Sequence, residues 1–341
     1  MFCDKVCSAL ESERVGTGGD AIIGEMAAPA NLSLTSEARR GEARHPLAEG
    51  TQLENYRIQR QLATGGFSFV YLAHDENDIP VAIKEYRIAE ADRAKFLHGM
   101  RCFFEEGRAL TRFSHPNVVR VLNFFRANDT VYLVMRYERG RSLHEHLAQH
   151  RGTLDESWIR STFTQLLNGL REVHTAKLLH LDLKPGNVYL RTDGSPLLLD
   201  FGAARYTLSG EGMNLPPTYT PGYASPEQHL WRDLLGPWSD IYSVGATMYA
   251  TLNAGEPPLA ANLRVDKDEF VPARRAWAGK YSAALLDTVD WCLRLDHLQR
   301  PQSVLALQKA LRGEKEPEQQ AERPVLQQLW GALLRFKGTF F

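Results

Sequence analysis

Four polar residues are spaced so that they could act together on a phosphate group. Asp182, Lys184 and Asn187 lie in one short loop between apolar stretches, and Asp200 opens an Asp-Phe-Gly triplet further along the chain. Transfer of a phosphoryl group to a hydroxyl needs a carboxylate that orients the hydroxyl, a cation near the moving group and oxygen ligands for Mg²⁺. These residue types supply all three, so the chemistry indicated is phosphoryl transfer.

A long helix is predicted to carry the chain into this loop. Between residues 142 and 177 the apolar positions recur at helical spacing. They form one stripe, which we interpret as core: Ile159, Phe163, Leu166, Leu167, Leu170 and Val173. After Asn187 the apolar residues predict a pair of strands that delivers Asp200.

The N-terminal part of the chain contains a hairpin that could approach phosphate oxygens. Residues 56–62 and 69–73 alternate as antiparallel strands do, and small residues fill the turn between them. Small residues let backbone N–H groups come close to a phosphate. The candidate contacts are Leu62, Ala63, Thr64, Gly65, Gly66, Phe67, Ser68 and Val70. Taken alone, this pattern favours a plain hairpin turn over a nucleotide site.

Lys84 ends an apolar strand, where a lysine usually extends its charged end to the surface. A predicted helix over residues 92–112 changes that interpretation, because Glu106 lies on its apolar face. We expect Glu106 to pair with Lys84. Two alternatives stay open: Glu106 is solvated, or Glu105 takes its place.

The pattern H-x-D-x-K-x-x-N over residues 180–187, followed by Asp-Phe-Gly, resembles the catalytic loop and metal-binding motif of protein kinases. Residues 220–227 resemble the end of the kinase activation segment, and residues 239–245 resemble the kinase central helix. The residue sequences of 221–228 and 240–249 are similar to those of bacterial Hanks-type serine/threonine kinases. The resemblance covers residues 56–312.

This resemblance implies an α+β fold with two lobes. A small N-lobe, residues 56–135, would hold antiparallel strands and one helix, and a larger, mainly helical C-lobe would span residues 141–312. Residues 136–140 would form the hinge, whose backbone groups would contact adenine, with Met135 at the back of the pocket.

The resemblance also implies an ATP-dependent enzyme that phosphorylates serine and threonine in proteins, itself included. Asp182 would orient and deprotonate the acceptor hydroxyl, and Lys184 would contact the γ-phosphate. Asn187 and Asp200 would hold Mg²⁺, with Mn²⁺ as a second option. Besides the hairpin turn, the implied nucleotide contacts are Ala82, Lys84, Glu106, Met135 and Tyr137.

Three structural contacts follow from the same resemblance. Thr220 would hydrogen-bond toward the catalytic carboxylate and its lysine. Glu227 would pair with Arg300, far along the chain. Asp240 would hold the backbone of the catalytic loop.

Three departures from the family pattern bear on the function. Ala63 and Ser68 replace glycines of the phosphate-binding turn, which bears on nucleotide affinity and not on the fold. Leu181 stands where many kinases have an arginine that receives a phosphate from the activation segment. Leucine cannot make that contact, so we expect the segment to be ordered without that phosphate. These departures keep open a second class, a pseudokinase scaffold or binding module without catalytic activity. Residues 220–227, which shape a protein-substrate platform, argue against a small-molecule kinase.

Composition excludes other classes of protein. The 341 residues include 40 basic and 41 acidic side chains, a net charge of −1, so nucleic acid is not an expected partner. We expect no transmembrane segment, because no apolar run is long enough, and the four cysteines give no disulfide framework. The expected location is cytoplasmic, and the expected partners are protein substrates and a cognate phosphatase.

The two ends of the chain lie outside the resemblance. Residues 1–50 are rich in small and polar residues, which predicts a disordered arm. Residues 313–341 are predicted to contain a polar linker and a short amphipathic segment. Its apolar positions are Leu326, Leu329, Trp330, Leu333 and Phe336. Docking on the domain, on a partner or on a membrane surface are open alternatives for this segment.

Overall fold

The N-terminal part of the chain forms one antiparallel sheet. The computed structural model of the chain describes residues 45–65, 68–87, 107, 110–111, 113–200 and 219–314. Six strands pair in the order β1-β2-β3-β4-β6-β5. They are β1 (Gln52–Leu53), β2 (Tyr56–Thr64), β3 (Ser68–His74), β4 (Pro80–Tyr86), β5 (Val121–Ala127) and β6 (Thr130–Arg136).

One face of this sheet has its own apolar core. Its buried members are Leu53, Ile58, Phe69, Tyr71, Ala73, Val81, Ile83, Tyr132 and Val134. Leu47 packs against this core, so residues 45–53, which precede the predicted start of the domain, lie on the sheet. The Leu47 N–H donates to the Tyr71 hydroxyl at 3.1 Å, and that hydroxyl donates to the buried Glu85 carboxylate at 2.6 Å. Burial and the Glu85 hydrogen bond raise the pKa of Tyr71.

The C-terminal part is mainly helical. Its helices are α1 (Leu143–Gln149), α2 (Glu156–Thr175), α3 (Pro226–Leu230), α4 (Pro237–Leu252), α5 (Ala261–Asp266), α6 (Ala273–Ala276), α7 (Ala283–Cys292) and α8 (Val304–Leu311). The predicted apolar stripe of α2 is fully buried, which confirms it as core. Residues on every side of α4 are buried, as is typical of a helix enclosed by the core.

A second, three-stranded sheet positions the polar loop. β8 (Val188–Arg191) pairs on one side with β7 (Gly140–Ser142) and on the other with β9 (Pro196–Leu198). Asn187 precedes β8 and Asp200 follows β9, so the antiparallel pair brings the two residues to the same end of the hairpin. The backbone confirms this approach, because the Leu199 N–H donates to the Asn187 carbonyl at 2.9 Å.

The arrangement matches the predicted α+β fold with a β-rich lobe and a helical lobe. Of the helix predicted over residues 92–112, only Gly107, Leu110 and Thr111 are described. Gly107 and Leu110 are helical and buried, and a Cβ on Gly107 would come within 2.8 Å of Leu133 in β6. Residues 1–44 of the predicted arm and the predicted amphipathic segment lie outside the described residues, as does Glu106, whereas residues 45–50 of that arm are described and lie on the sheet. Among the helices of the described ranges, none has the length and apolar character needed to cross a bilayer.

Candidate active site

Asp240 anchors the backbone of the loop that carries Asp182, Lys184 and Asn187. This fully buried carboxylate at the start of α4 accepts the N–H groups of His180 and Leu181 at 2.8 and 2.7 Å. It also lies 2.7 Å from the His174 Nε2 at the end of α2. Burial opposes the charge, but the His174 contact and the backbone hydrogen bond hold the pKa of Asp240 below its usual range. The predicted role of Asp240 is therefore confirmed.

The Asp182 carboxylate is the centre of a dense hydrogen-bond network. Lys184 Nζ lies 2.8 and 3.1 Å from its two oxygens, and the Thr220 hydroxyl donates to one of them at 2.8 Å. Lys184 Nζ also donates to Thr220 Oγ1 at 2.7 Å. Asn187 Nδ2 donates to the Asp182 carbonyl at 2.8 Å and to its carboxylate at 2.9 Å. Three side chains from a loop and a distant segment thus converge on one carboxylate, and the contacts of Thr220 with Asp182 and Lys184 are as predicted.

Lys84 reaches from the large sheet to the Asp-Phe-Gly motif. Its Nζ lies 2.5 Å from Oδ1 of Asp200, although the two residues are far apart in the sequence. The backbone of Asp200 is left-handed, with φ of 51°, a conformation that is uncommon outside glycine and that aspartate adopts more readily than most residues. The predicted partner Glu106 lies outside the described residues, so that pairing stays a prediction.

Four of the predicted nucleotide residues share one face of the large sheet. Lys84 in β4 lies opposite Val70 in β3, and Ala82 lies opposite Met135 in β6. Residues directly opposite in an antiparallel pair share a face, and alternate residues of a strand do so too. Val70, Ala82, Lys84 and Met135 therefore face the same side, away from the Tyr71 core.

A backbone hydrogen bond joins the two ends of the predicted phosphate-binding turn. The Gly65 N–H donates to the Ser68 carbonyl at 2.7 Å, and the Ser68 side chain is buried. Leu62, Ala63 and Thr64 lie in β2, leading into this turn. Gly66 and Phe67 lie outside the described residues. Tyr137, half-buried, follows β6 in the predicted hinge.

A buried ion pair anchors the end of the activation segment. Arg300 donates to both carboxylate oxygens of Glu227, at 2.7 and 3.0 Å, and both side chains are fully buried. Ser239 donates to the same carboxylate at 2.8 Å. This predicted pair is confirmed, and it fixes the start of α3 against the helical core.

Asn187 and Asp200 fit a magnesium ion. Asn187 directs its Nδ2 to Asp182, which leaves the amide oxygen as the ligand atom, and Asp200 contributes a carboxylate. No cluster of three or more His, Cys, Asp or Glu able to hold a metal is present among the described residues. This set of oxygen ligands suits Mg²⁺, which often takes one or two carboxylates and completes its shell with water and substrate phosphates.

Two contacts at the site were not predicted from the sequence. His174 binds Asp240, and the Gln228 side chain donates to the Leu181 carbonyl at 2.7 Å. The only sequence signal for His174 is its position beside Val173, at the end of the buried stripe of α2. Gln228 offered no signal, since an amide after a predicted activation segment has no preferred partner.

Comparison with known proteins agrees with this geometry. The family model described as protein kinase domain matches residues 56–311. Sperm motility kinase 1 of Mus musculus is 30% identical over 229 residues, covering 67% of this chain and 44% of that protein. CBL-interacting protein kinase 12 of Oryza sativa subsp. japonica is 32% identical over 235 residues, covering 68% and 42%. The chain therefore belongs to the protein kinase family.

A solved structure has the same fold. PpkA-294 in its apo form is 32% identical, superimposes with a TM-score of 0.69, and is matched over 78% of this chain and 99% of its own. Serine/threonine-protein kinase Nek3 of Mus musculus is 32% identical over 215 residues, covering 62% of this chain and 40% of that protein. The chain spans about half, or less, of the length of these curated relatives.

Proposed function

We propose that this protein is an ATP-dependent serine/threonine protein kinase that phosphorylates other proteins and itself. The observation that carries the proposal is the network of Lys184, Asn187 and Thr220 on the Asp182 carboxylate. A scaffold without catalytic activity has no need for these four groups within hydrogen-bonding distance of one another.

In the proposed mechanism, Asp182 orients a serine or threonine hydroxyl in line with the γ-phosphorus and accepts its proton as the bond forms. The bond from the γ-phosphorus to the bridging oxygen breaks, and ADP leaves. Lys184 stabilises the charge on the transferred group, and Thr220 holds the lysine and the carboxylate together. Catalysis then rests on positioning and charge stabilisation, because the transition state is loose.

The nucleotide is proposed to bind along the face of the large sheet that carries Val70, Ala82, Lys84 and Met135. Lys84 would hold the α- and β-phosphates, set by Glu106. The remaining proposed contacts are Leu62, Ala63, Thr64, Gly65, Gly66, Phe67, Ser68 and Tyr137. Mg²⁺, or Mn²⁺ in its place, would be held by Asn187 and Asp200 and would neutralise charge on the phosphates.

We further propose a place among bacterial Hanks-type kinases, supported by the wording of residues 221–228 and 240–249. The proposed boundaries are residues 56–135 for the N-lobe, 136–140 for the hinge and 141–312 for the C-lobe. Protein substrates and a cognate phosphatase are the proposed partners. The cytoplasmic location expected from the sequence stays a prediction.

Transfer from γ-labelled ATP to casein, to histone and to the chain itself tests the proposal. We expect label on phosphoserine and phosphothreonine after acid hydrolysis, in the presence of Mg²⁺ or Mn²⁺ and not with chelator. Asp193→Asn, in an exposed turn after β8, is the matched control for Asp182→Asn and should transfer as the wild type does. A folded wild type that is silent with both metals and all acceptors would overturn the proposal in favour of a pseudokinase.

A further inference from the structure

Leu181 directly precedes the catalytic Asp182, and its side chain is fixed by apolar packing alone. The side chain is buried in a small apolar cluster with Leu179, and Leu235, in the segment between α3 and α4, packs against that cluster. Its backbone is left-handed, with φ of 59°. A non-glycine residue keeps such a conformation only when the surroundings fix it. The groups that fix Leu181 therefore also fix Asp182.

Both backbone polar groups of Leu181 are satisfied by buried side chains. Asp240 accepts its N–H at 2.7 Å, and Gln228 Nε2 donates to its carbonyl at 2.7 Å. The contact from Asp240 reaches the loop from the helical core. The contact from Gln228 reaches it from α3, which follows the activation segment. The two contacts thus fix the N–H group and the carbonyl group of Leu181.

The Gln228 amide has a defined orientation. Its Oε1 accepts the Ser225 N–H at 3.0 Å, in the capping box that begins α3. The opposite end of the amide, Nε2, must then face the Leu181 carbonyl. The neighbouring Glu227 is anchored to Arg300, so the helix that carries Gln228 is itself fixed. The Gln228 side chain is thus held so that its Nε2 donates to the Leu181 carbonyl.

The end of the activation segment and the helix after it contact the catalytic loop at two points. Thr220 donates to the Asp182 side chain, and Gln228 donates to the carbonyl just before Asp182. The first contact aligns the carboxylate, and the second holds the backbone from which that carboxylate extends. Neither contact uses a phosphate.

We propose that Gln228 is a positioning residue that locks the left-handed turn at Leu181 and so aims Asp182 at the acceptor hydroxyl. The packing of Leu235 against the cluster of Leu179 and Leu181 supplies the rest of this link between the catalytic loop and the substrate platform. The inference rests on the proposed kinase function. It assigns to an amide and two leucines the coupling that a phosphate and an arginine would otherwise provide.

The test uses two replacements of Gln228 in the full chain. Gln228→Met keeps the length and removes the donor, and Gln228→Glu keeps the shape but cannot donate while ionised. We expect kcat for casein to fall about 10- to 100-fold in both variants at pH about 8, with KM for ATP unchanged within about twofold. Gln308→Met is the matched control, since Gln308 is a buried glutamine in α8, remote from the loop.

The kcat of the Gln228→Glu variant should depend on pH. Its carboxyl would be buried and near the carboxylates of Asp182, Asp240 and Glu227, which raise a carboxyl pKa. The loop and α3 also carry His180, Lys184 and His229, and Arg300 binds Glu227; the cations among these groups oppose that rise. The protonated carboxyl can donate to the Leu181 carbonyl, so kcat relative to wild type should recover as pH falls from about 8 to about 6 in Gln228→Glu and not in Gln228→Met.

Two results would overturn the inference while the kinase function stands. One is a Gln228→Met variant whose kcat equals that of Gln308→Met. The other is an equal loss in both Gln228 variants at every pH, accompanied by a matching drop in Tm, which would make Gln228 a merely structural residue.

If the wild type transfers no phosphate, the kinase function fails, and amide hydrogen exchange then tests the link by itself. Faster exchange at residues 181–183 in Gln228→Met, with ATP binding unchanged, supports it. Unchanged exchange overturns it.

Discussion

Thr220 connects the two groups that the proposed chemistry depends on. Its hydroxyl accepts from Lys184 and donates to Asp182, so a single oxygen bridges the cation and the carboxylate, which also contact each other directly. Thr220 lies 38 positions from Asp182 in the sequence, and its hydroxyl is the part that makes both contacts. Loss of the hydroxyl should therefore matter more than loss of the methyl group.

Thr220→Ala is expected to lower kcat about 10-fold or more, because Asp182 and Lys184 lose their common partner. Thr220→Ser keeps the oxygen and should retain most of the activity. Steady-state kinetics with casein compare the two variants. Equal activity in both would show that the hydroxyl has no part in positioning.

The Glu227–Arg300 pair makes stability depend on pH. Burial opposes the charge of Glu227, but Arg300 beside it holds the pKa of Glu227 below its usual range. Because the folded-state pKa is lower than the unfolded-state value of about 4.3, the pair contributes fully above that pH. Its contribution is lost as pH falls through the folded-state pKa.

Glu227→Gln should lower the free energy of unfolding by about 3–5 kcal/mol at pH 7, since it leaves Arg300 buried without its partner. The difference in unfolding free energy from the wild type should narrow as the pH falls from about 4.3 through the folded-state pKa of Glu227, because the unfolded wild-type chain binds a proton at Glu227 before the folded protein does. Urea unfolding at several pH values measures both effects. Glu76→Gln, at an exposed turn, is the control, and a gap that stays constant with pH contradicts this account.

At the scale of elements, residues 45–53 act as an outer layer on the large sheet. Leu53 is buried in β1, Leu47 packs beside it, and the Leu47 N–H is bound to the Tyr71 hydroxyl. These contacts cover Glu85, a buried carboxylate that also accepts from Tyr132 at 3.2 Å. Residues 45–53 thus stabilise the large sheet on the face opposite Lys84.

Leu53→Ala should destabilise this lobe by about 2–4 kcal/mol, because it removes a buried side chain and leaves a cavity. Ile79→Ala, where the side chain is 55% exposed, should change the free energy of unfolding by less than about 0.5 kcal/mol. Urea denaturation followed by circular dichroism compares the two. Similar values for both variants would mean that residues 45–53 add nothing to the stability of the sheet.

The elements that were predicted well from the sequence are those in which apolar residues recur at regular spacing. The stripe of α2 has one apolar face, and α2 is buried along that face as expected. The pairs Glu227–Arg300 and Asp182–Thr220 were also predicted, because the family pattern connects those positions.

Contacts between side chains far apart in the chain were not predictable in the same way. Alternation places Glu85 on a face of β4 but cannot show that residues 45–53 cover it. Gln228 could have bound any of several carbonyls, and only the folded position of α3 selects that of Leu181. Lys84 was predicted to pair with Glu106, and its contact with Asp200 depends on how the two sheets face each other.

At the scale of the whole molecule, the candidate site combines residues from both sheets and from the helical part. Lys84 extends from the large sheet, Asn187 and Asp200 flank the small one, and Asp240 supports the loop from α4. Each part alone lacks some of the groups that phosphoryl transfer requires. The site therefore depends on the lobes keeping their relative positions.

The most direct test of the central claim measures binding and transfer in the same preparations of wild type and Asp182→Asn. We predict that the two bind Mg-ATP with affinities within about twofold, because Asp182 is assigned to the acceptor hydroxyl. Transfer to casein should fall by about 10²- to 10⁴-fold in the variant. A wild type that binds Mg-ATP without transferring phosphate, or a variant that transfers at the wild-type rate, would contradict the account.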